Sequence, residues 1–276
     1  MSESEAYFPP RLQGQVAVVT GAARGLGRAY ALRLARLGAD IVINDRNLDS
    51  AAEVSETLTA ETVMDEIRQL GRRAIGIAAD VTSESAVDEM FKEIFSTFSQ
   101  VDILVNNAGG GRGSQSVTES SVEAWEAVLA KNLHSTFLCC RAVSSHMRER
   151  RRGKIINVAS VAGLRPLMPT LAPYCTAKAG IIALTRSLAL ELAEHGVNVN
   201  AIAPSYIATV NWMGGLGKIQ DELVQHIPMG RIGVAEDCAK VVEFLATDLS
   251  DFVTGQVISV DGGMGHLQPS YMGQAY

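Results

Sequence analysis

Seven short apolar runs, separated by helical patterns, constrain this chain more than any other feature. They read VAVVT (16–20), DIVIND (40–45), AIGIAAD (74–80), VDILVNNAG (101–109), KIINVAS (154–160), VNVNAIAP (197–204) and QVISVDGG (256–263). Their apolar residues fall mostly on consecutive positions rather than alternate ones, so both faces of each strand need cover. Between them apolar residues recur at helical spacing. One such segment stops at Leu37-Gly38, and one carries Val63, Met64, Ile67 and Leu70 before Gly71. Others run over about 84–98, about 121–149 and 173–192. Strands that alternate with helices and are buried on both faces specify a parallel sheet flanked by helices. The expectation is a single doubly wound α/β domain over 14–263 with a seven-stranded sheet, a polar lead-in at 1–13 and a C-terminal tail at 264–276.

Composition removes several classes of function. A chain of 276 residues has room for one large core. The net charge is −6 with both signs interspersed, and no basic stripe is interleaved with aromatics, so nucleic acid is not an expected partner. The basic cluster Arg148 to Lys154 reads as a solvated helix end. The charge-free run 196–217 contains Asn198, Asn200, Pro204 and Asn211 and is not a membrane span. The opening MSESEAYFPPR has no apolar core of a signal peptide. Four cysteines without a CxxC pair suggest a reduced, cytoplasmic setting, and five histidines without ligand spacing suggest no metal.

Chemistry gathers at the strand ends. Directly after the first strand comes Thr20-Gly21-Ala22-Ala23-Arg24-Gly25-Leu26-Gly27, which opens a helix. Glycines there let the backbone turn sharply and approach a pyrophosphate, which a helix N-terminus favours. Asp45 ends the second strand, 18 residues beyond Gly27, where a carboxylate can accept hydrogen bonds from ribose hydroxyls and repel a 2′-phosphate. That points to NAD in preference to NADP, although Arg24 and Arg46 could each pair with a phosphate. Asp80-Val81 suits a contact with an adenine edge, or Asp80 caps the next helix. Asn106-Asn107-Ala108-Gly109 makes a turn whose small residues let a cofactor pass. Thr20, Asp45, Asp80, Asn106 and Ser160 all fall at carboxyl ends of strands, where such sheets bind ligands.

The stretch PYCTAKAG (173–180) puts a phenol, Tyr174, and an ammonium, Lys178, on one face of a first helical turn. Taken alone, the pair reads first as two surface neighbours. A phenol with a pKa of about 10 is a poor acid–base group near neutrality, and an adjacent ammonium favours its phenolate.

Taken in order, TGxxxGxG, NNAG, Ser160, YxxxK and a downstream Pro resemble the classical short-chain dehydrogenase/reductases over about residues 14–263. The resemblance implies a Rossmann-type domain and a catalytic tetrad of Asn132, Ser160, Tyr174 and Lys178. In that scheme Ser160 holds the substrate oxygen beside Tyr174. Lys178 bonds the nicotinamide ribose, and Asn132 holds a water that links Lys178 to solvent. The cofactor is then held by Gly21, Arg24, Gly25, Leu26, Gly27, Asp45, Asp80, Val81, Asn107, Ala108, Gly109, Tyr174, Lys178, Pro204, Ile207 and Thr209. A homotetramer is implied, with interfaces on the helices near 121–149 and 174–195. Three features depart from the pattern. Fourteen steps separate Ser160 from Tyr174, one more than is usual; Pro204-Ser205 replaces Pro-Gly; and 46–62 is long.

Residues 205–230 carry Trp212, Met213, Leu216 and Ile219 among Gly214, Gly215 and Gly217, which suits a mobile apolar lid. Leu164, Leu167, Met168 and Leu171 offer a second apolar wall. The expected substrate is a small, largely apolar secondary alcohol or ketone, a cyclic one among the candidates. The rival of the same chemistry is a 3-oxoacyl-thioester reductase, for which Lys218 and Arg231 are the nearby cations. The rival of another class is a nucleotide-sensing protein without catalysis, which predicts a damaged tetrad.

Overall fold

The computed structural model describes residues 11–111, 116–166, 169–209 and 219–266. Its main sheet is the expected one. The strands are β1 (Val16–Thr20), β2 (Asp40–Asp45), β3 (Ala74–Ala78), β4 (Ile103–Asn106), β5 (Gly153–Val158), β6 (Val197–Pro204) and β9 (Val257–Val260). They are parallel throughout and lie in the order β3-β2-β1-β4-β5-β6-β9. The helices are α1 (Gly25–Arg36), α2 (Val63–Gln69), α3 (Glu84–Phe98), α4 (Val122–Leu129), α5 (Ser135–Arg150), α6 (Ala172–Leu192) and α7 (Ala235–Ala246).

Strand alternation divides the core. Ala17 and Val19 of β1 pack with Tyr30 and Leu34 of α1, Ile67 of α2 and Val242 of α7. Val16 and Val18 pack on the opposite face with Met90 and Ile94 of α3, Leu138 and Val143 of α5, and Leu192 of α6. Each fully buried Leu or Ile contributes about 1.5–3 kcal/mol relative to exposure, so the sheet is held from both sides. Helix starts follow local chemistry: Thr62, Ser83 and Ser121 accept hydrogen bonds from the backbone N–H of Asp65, Ala86 and Ala124.

Several boundaries differ from the sequence reading. β3, β4, β5 and β9 are shorter, so Asp80, Asn107, Gly109 and Ser160 lie just past the strands. The segment after β2 contains a short helix, Ser50–Glu53. A two-stranded parallel ribbon, β7 (Ile207–Ala208) with β8 (Gly233–Val234), follows β6, too short for a periodicity to reveal. The single helix expected over 121–149 is interrupted by a π turn, Ala130–His134. There the hydroxyls of Ser135 and Thr136 bond back to the carbonyls of Lys131 and Asn132, an arrangement that competes with regular helix bonding. The basic cluster is not wholly solvated: Arg150 pairs with buried Asp102 at 2.9 Å and Lys154 with Asp251 at 2.8 Å.

Candidate active site

Strand order reverses between β1 and β4, and a cleft of about 870 Å³ opens there at the carboxyl ends of the strands. It runs from the turn between β1 and α1, past the ends of β4 and β5, to the segment after β6.

The glycine turn forms one wall. Gly21 and Gly25 have φ of 61° and 59°, a region that glycine enters freely. A Cβ on Gly27 would stand 2.2 Å from the Gly21 carbonyl oxygen, so only glycine lets α1 begin so close to β1. A Cβ on Gly25 would meet no protein atom within 4 Å; Gly25 faces the cleft. Thr20 Oγ1 accepts from the N–H of both Asn107 and Ala108 at 3.0 Å, and Asn107 Nδ2 donates to the carbonyls of Thr20 and Gly21 at 2.9 Å. The Asn-Asn-Ala-Gly turn is therefore fastened to the glycine turn. Asp45 accepts from Ala23 N–H at 3.3 Å and Arg46 N–H at 2.8 Å. Asp80 does not cap α3, since Ser83 does; it accepts from the Thr82 N–H and hydroxyl at 2.9 and 2.8 Å. Burial raises the Asp80 pKa, but those bonds and Arg46 outweigh it and hold the carboxyl below its usual range.

At the other end, Pro173 sits in the first turn of α6, and Tyr174 and Lys178 follow on one face. Lys178 is 3% exposed, and its Nζ donates to the Val158 carbonyl at 2.7 Å. Burial, with the nearby Lys131 ammonium, lowers its pKa from 10.5 to about 7. Nζ lies 5.7 Å from the centroid of the Tyr174 ring. The Ser160 side chain lies close enough to Tyr174 to favour its phenolate. Ser160 Oγ accepts from Ala162 N–H at 3.2 Å and approaches the Pro204 carbonyl at 3.5 Å. The sequence implied that Lys178 would lower the Tyr174 pKa. Instead burial raises it, with the Ser160 side chain working against the rise. Lys178 Nζ is turned to the Val158 carbonyl, and burial lowers its own pKa as well.

Asn132 is wholly buried rather than an exposed helix residue, and it stands behind the cleft wall. Its Oδ1 accepts from Gly110 N–H at 2.9 Å, and its Nδ2 donates to the carbonyls of Gly110 at 3.2 Å and Val128 at 2.9 Å. A Cβ on Gly109 would meet Asn132 Oδ1 at 2.7 Å and Lys178 Nζ at 3.7 Å, so glycine is what lets the two side chains lie against this loop.

Gly21, Arg24, Gly25, Leu26, Gly27, Asp45, Asp80, Val81, Asn107, Ala108, Gly109, Pro204, Ile207 and Thr209 line this cleft together with Ser160, Tyr174 and Lys178. The sequence reading passed over Glu56, Gly110, Gly111, Lys131 and Tyr206, all of which line it too. Lys131 was findable as the neighbour of Asn132; nothing in the polar stretch 47–59 marks Glu56. Leu164 is exposed and does not line the cleft, whereas Leu171 does. Leu167, Met168, Trp212, Met213, Gly214, Gly215, Leu216, Gly217 and Lys218 lie outside the described residues. Among the described residues, no helix is long and apolar enough to cross a membrane.

Known proteins resemble this chain in sequence and in fold. A family profile described as enoyl-(acyl carrier protein) reductase matches residues 21–265. The chain is 45% identical over 261 residues to a cyclohexanol dehydrogenase of Rhodococcus sp. (strain TK6), covering 92% of this chain and 97% of that protein. It is 42% identical over 254 residues to a 3-oxoacyl-[acyl-carrier-protein] reductase of Synechocystis sp. (strain ATCC 27184 / PCC 6803 / Kazusa), covering 92% and 98%. Among solved structures, an NAD+-bound xylitol dehydrogenase superposes with TM-score 0.83 at 32% identity, covering 92% of this chain and 100% of that one. A gluconate 5-dehydrogenase from Burkholderia cenocepacia J2315, in complex with NADP and tartrate, does so with TM-score 0.84 at 35% identity, covering 95% and 99%.

Proposed function

The chain belongs to the short-chain dehydrogenase/reductase family, oxidoreductases that act on CH–OH groups with a nicotinamide cofactor, and from that premise we propose that it is an NAD-dependent dehydrogenase of small, largely apolar secondary alcohols, cyclic ones included. One observation carries the reading: the Tyr174–Ser160 pair and the Asp45 carboxylate lie in one continuous cleft. The residues fit a dinucleotide. Gly25 leaves open space beside the turn, and the Asp45 carboxylate offers acceptors suited to ribose hydroxyls.

The bound nicotinamide supplies or takes the hydride. The chain handles the proton. Tyr174 gives it to, or takes it from, the substrate oxygen, which Ser160 orients beside the phenol. Lys178, with a pKa near 7, can exchange a proton at neutral pH without leaving its buried position. Asn132 fixes Gly109 and Gly110, and with them the wall beside Lys178.

The similarity to a cyclohexanol dehydrogenase supports an apolar alcohol. The rival, reduction of a 3-oxoacyl thioester, is favoured by the Synechocystis relative. Against it, Arg231 is bound through both terminal nitrogens to Asp237 at 2.7 and 2.9 Å, and Asp237 is held at a pKa of about 2. That cation is already paired. A homotetramer is supported by the apolar surface of Leu190 on α6, 85% exposed, with Phe137 on α5 also exposed. A cytoplasmic setting is supported by four free cysteines.

The test is an absorbance assay at the nicotinamide band with NAD and a panel of cyclic and open-chain alcohols, ketones and one 3-oxoacyl thioester. Turnover is expected with cyclic secondary alcohols. Turnover of the thioester alone, or of nothing, overturns the reading.

A further inference from the structure

We propose that Glu56 is a second determinant of cofactor choice, acting beside Asp45 to reject a 2′-phosphorylated dinucleotide; this rests on the NAD reading above. Glu56 belongs to the polar segment after β2 and to none of the motifs in the sequence. Its Oε2 accepts from Gly25 N–H at 2.8 Å. Asp45 Oδ2 accepts from Ala23 N–H at 3.3 Å. Two backbone N–H groups of one glycine turn, two residues apart, are thus each taken by a carboxylate, and both carboxylates line the cleft.

Backbone N–H groups of such a turn are what an incoming phosphate uses as donors. Here two of them, those of Ala23 and Gly25, are already taken by fixed negative charge. A ribose hydroxyl can donate to a carboxylate, but a phosphate monoester brings up to two negative charges and no donor. The rival anchors, Arg24 and Arg46, line the same cleft. A second carboxylate adds to Asp45 in offsetting them.

Glu56 is firmly placed. Its side chain is 12% exposed and pairs with Arg28 Nη1 at 2.9 Å. Arg28 is shared with Glu66, through Nε at 2.7 Å and Nη2 at 2.5 Å. Glu66 in turn accepts from the Thr59 N–H and hydroxyl, both at 2.6 Å. One cation therefore serves two anions, and the cluster keeps a net negative charge beside the turn. Because these groups are half-buried or deeper, salt screens that charge less than it would at the surface.

The test measures dissociation constants for NADH and NADPH by nicotinamide fluorescence, without substrate, for the wild type, Glu56→Gln, Asp45→Ala and the double variant. Values of kcat/KM for NAD and NADP accompany them. Glu56→Gln is expected to improve NADPH binding relative to NADH about tenfold while NADH changes less than about threefold. Asp45→Ala shifts the ratio further, and the double variant shifts it most. A carboxylate that only caps α1, or repels the diphosphate common to both cofactors, changes both constants alike. An unchanged ratio in Glu56→Gln, beside a shifted one in Asp45→Ala, overturns the role of Glu56 and leaves the NAD reading intact. Wild-type preference for NADP overturns the NAD reading itself. If Glu56→Gln does not fold, Glu56→Met, of similar length and without the charge, gives the same readout.

Discussion

The two ends of the cleft are built on opposite rules. At the glycine turn, the shape depends on atoms that are missing, since a Cβ on Gly27 has nowhere to go. At the start of α6 it depends on side chains that are present and buried. Charge is handled differently as well. Asp45 and Glu56 are anions held by backbone N–H groups, and Lys178 is an ammonium held by a backbone carbonyl. The carboxylates share their end with arginines, whereas the described partner of Lys178 is neutral and another ammonium, Lys131, is nearby. The binding end is therefore set by fixed charge and shape, and the catalytic end by groups poised to change charge.

The sharpest way to break that contrast is Tyr174→Phe. It removes the hydroxyl and almost no volume. We expect kcat to fall by about 10³-fold or more, roughly 4 kcal/mol, while the NADH dissociation constant stays within about twofold. A variant that keeps a tenth of wild-type kcat would mean that the phenol is not the proton donor.

The catalytic end was the more legible of the two because its logic is local. Tyr174 and Lys178 are four residues apart on one helix, and Ser160 lies just past the end of a strand. The sheet was legible for a similar reason, since each strand announces itself by its own apolar run. What the sequence did not show was assembled over distance. Glu56 reaches Gly25 across 31 positions, from a segment with no periodicity. The π turn at Ala130–His134 is accompanied by hydroxyls bonding back to carbonyls, which a helical pattern does not encode. The sign of the Tyr174 shift was misjudged because spacing reveals a neighbour and not its burial.

Gly27→Ala probes the other end. The added methyl meets the Gly21 carbonyl at 2.2 Å and Ala22 Cα at 2.7 Å, both backbone atoms that cannot rotate away. Overpacking of this kind costs about 1–3 kcal/mol. NADH binding should weaken by about tenfold to a hundredfold and the melting temperature should drop. The kcat at saturating cofactor should hold near wild type, because the catalytic side chains are not touched. Wild-type NADH affinity in this variant would show that the turn is softer than its contacts imply.

The smallest expected effect tests whether the catalytic end is truly poised. Lys178 has an ordinary value of 10.5 when unfolded and about 7 in the fold, lowered first by burial and then by Lys131. Between those values the unfolded chain binds more protons at this site than the folded one, so stability rises with pH across that window. Below about pH 7 both states carry the charge and the fold bears the full cost of burying it. The contribution of Lys178 to the urea midpoint of the apoprotein should therefore climb from pH 7 toward 10, against the fall that the buried thiols of Cys139, Cys140 and Cys238, raised by burial, impose above about pH 9. The measured slope should be lower in Lys178→Met, and the difference between the two proteins isolates this group from Tyr174 and the cysteines. Lys131→Met removes a like charge, which favours the protonated form of Lys178 and raises its pKa. The onset of the climb should move up by about half a pH unit. The limb of the pH–kcat profile that reports Lys178 should move with it. Identical profiles in wild type and Lys131→Met, with the same slope in Lys178→Met, would show that this lysine does not titrate near neutrality and that the catalytic end is as fixed in charge as the glycine turn.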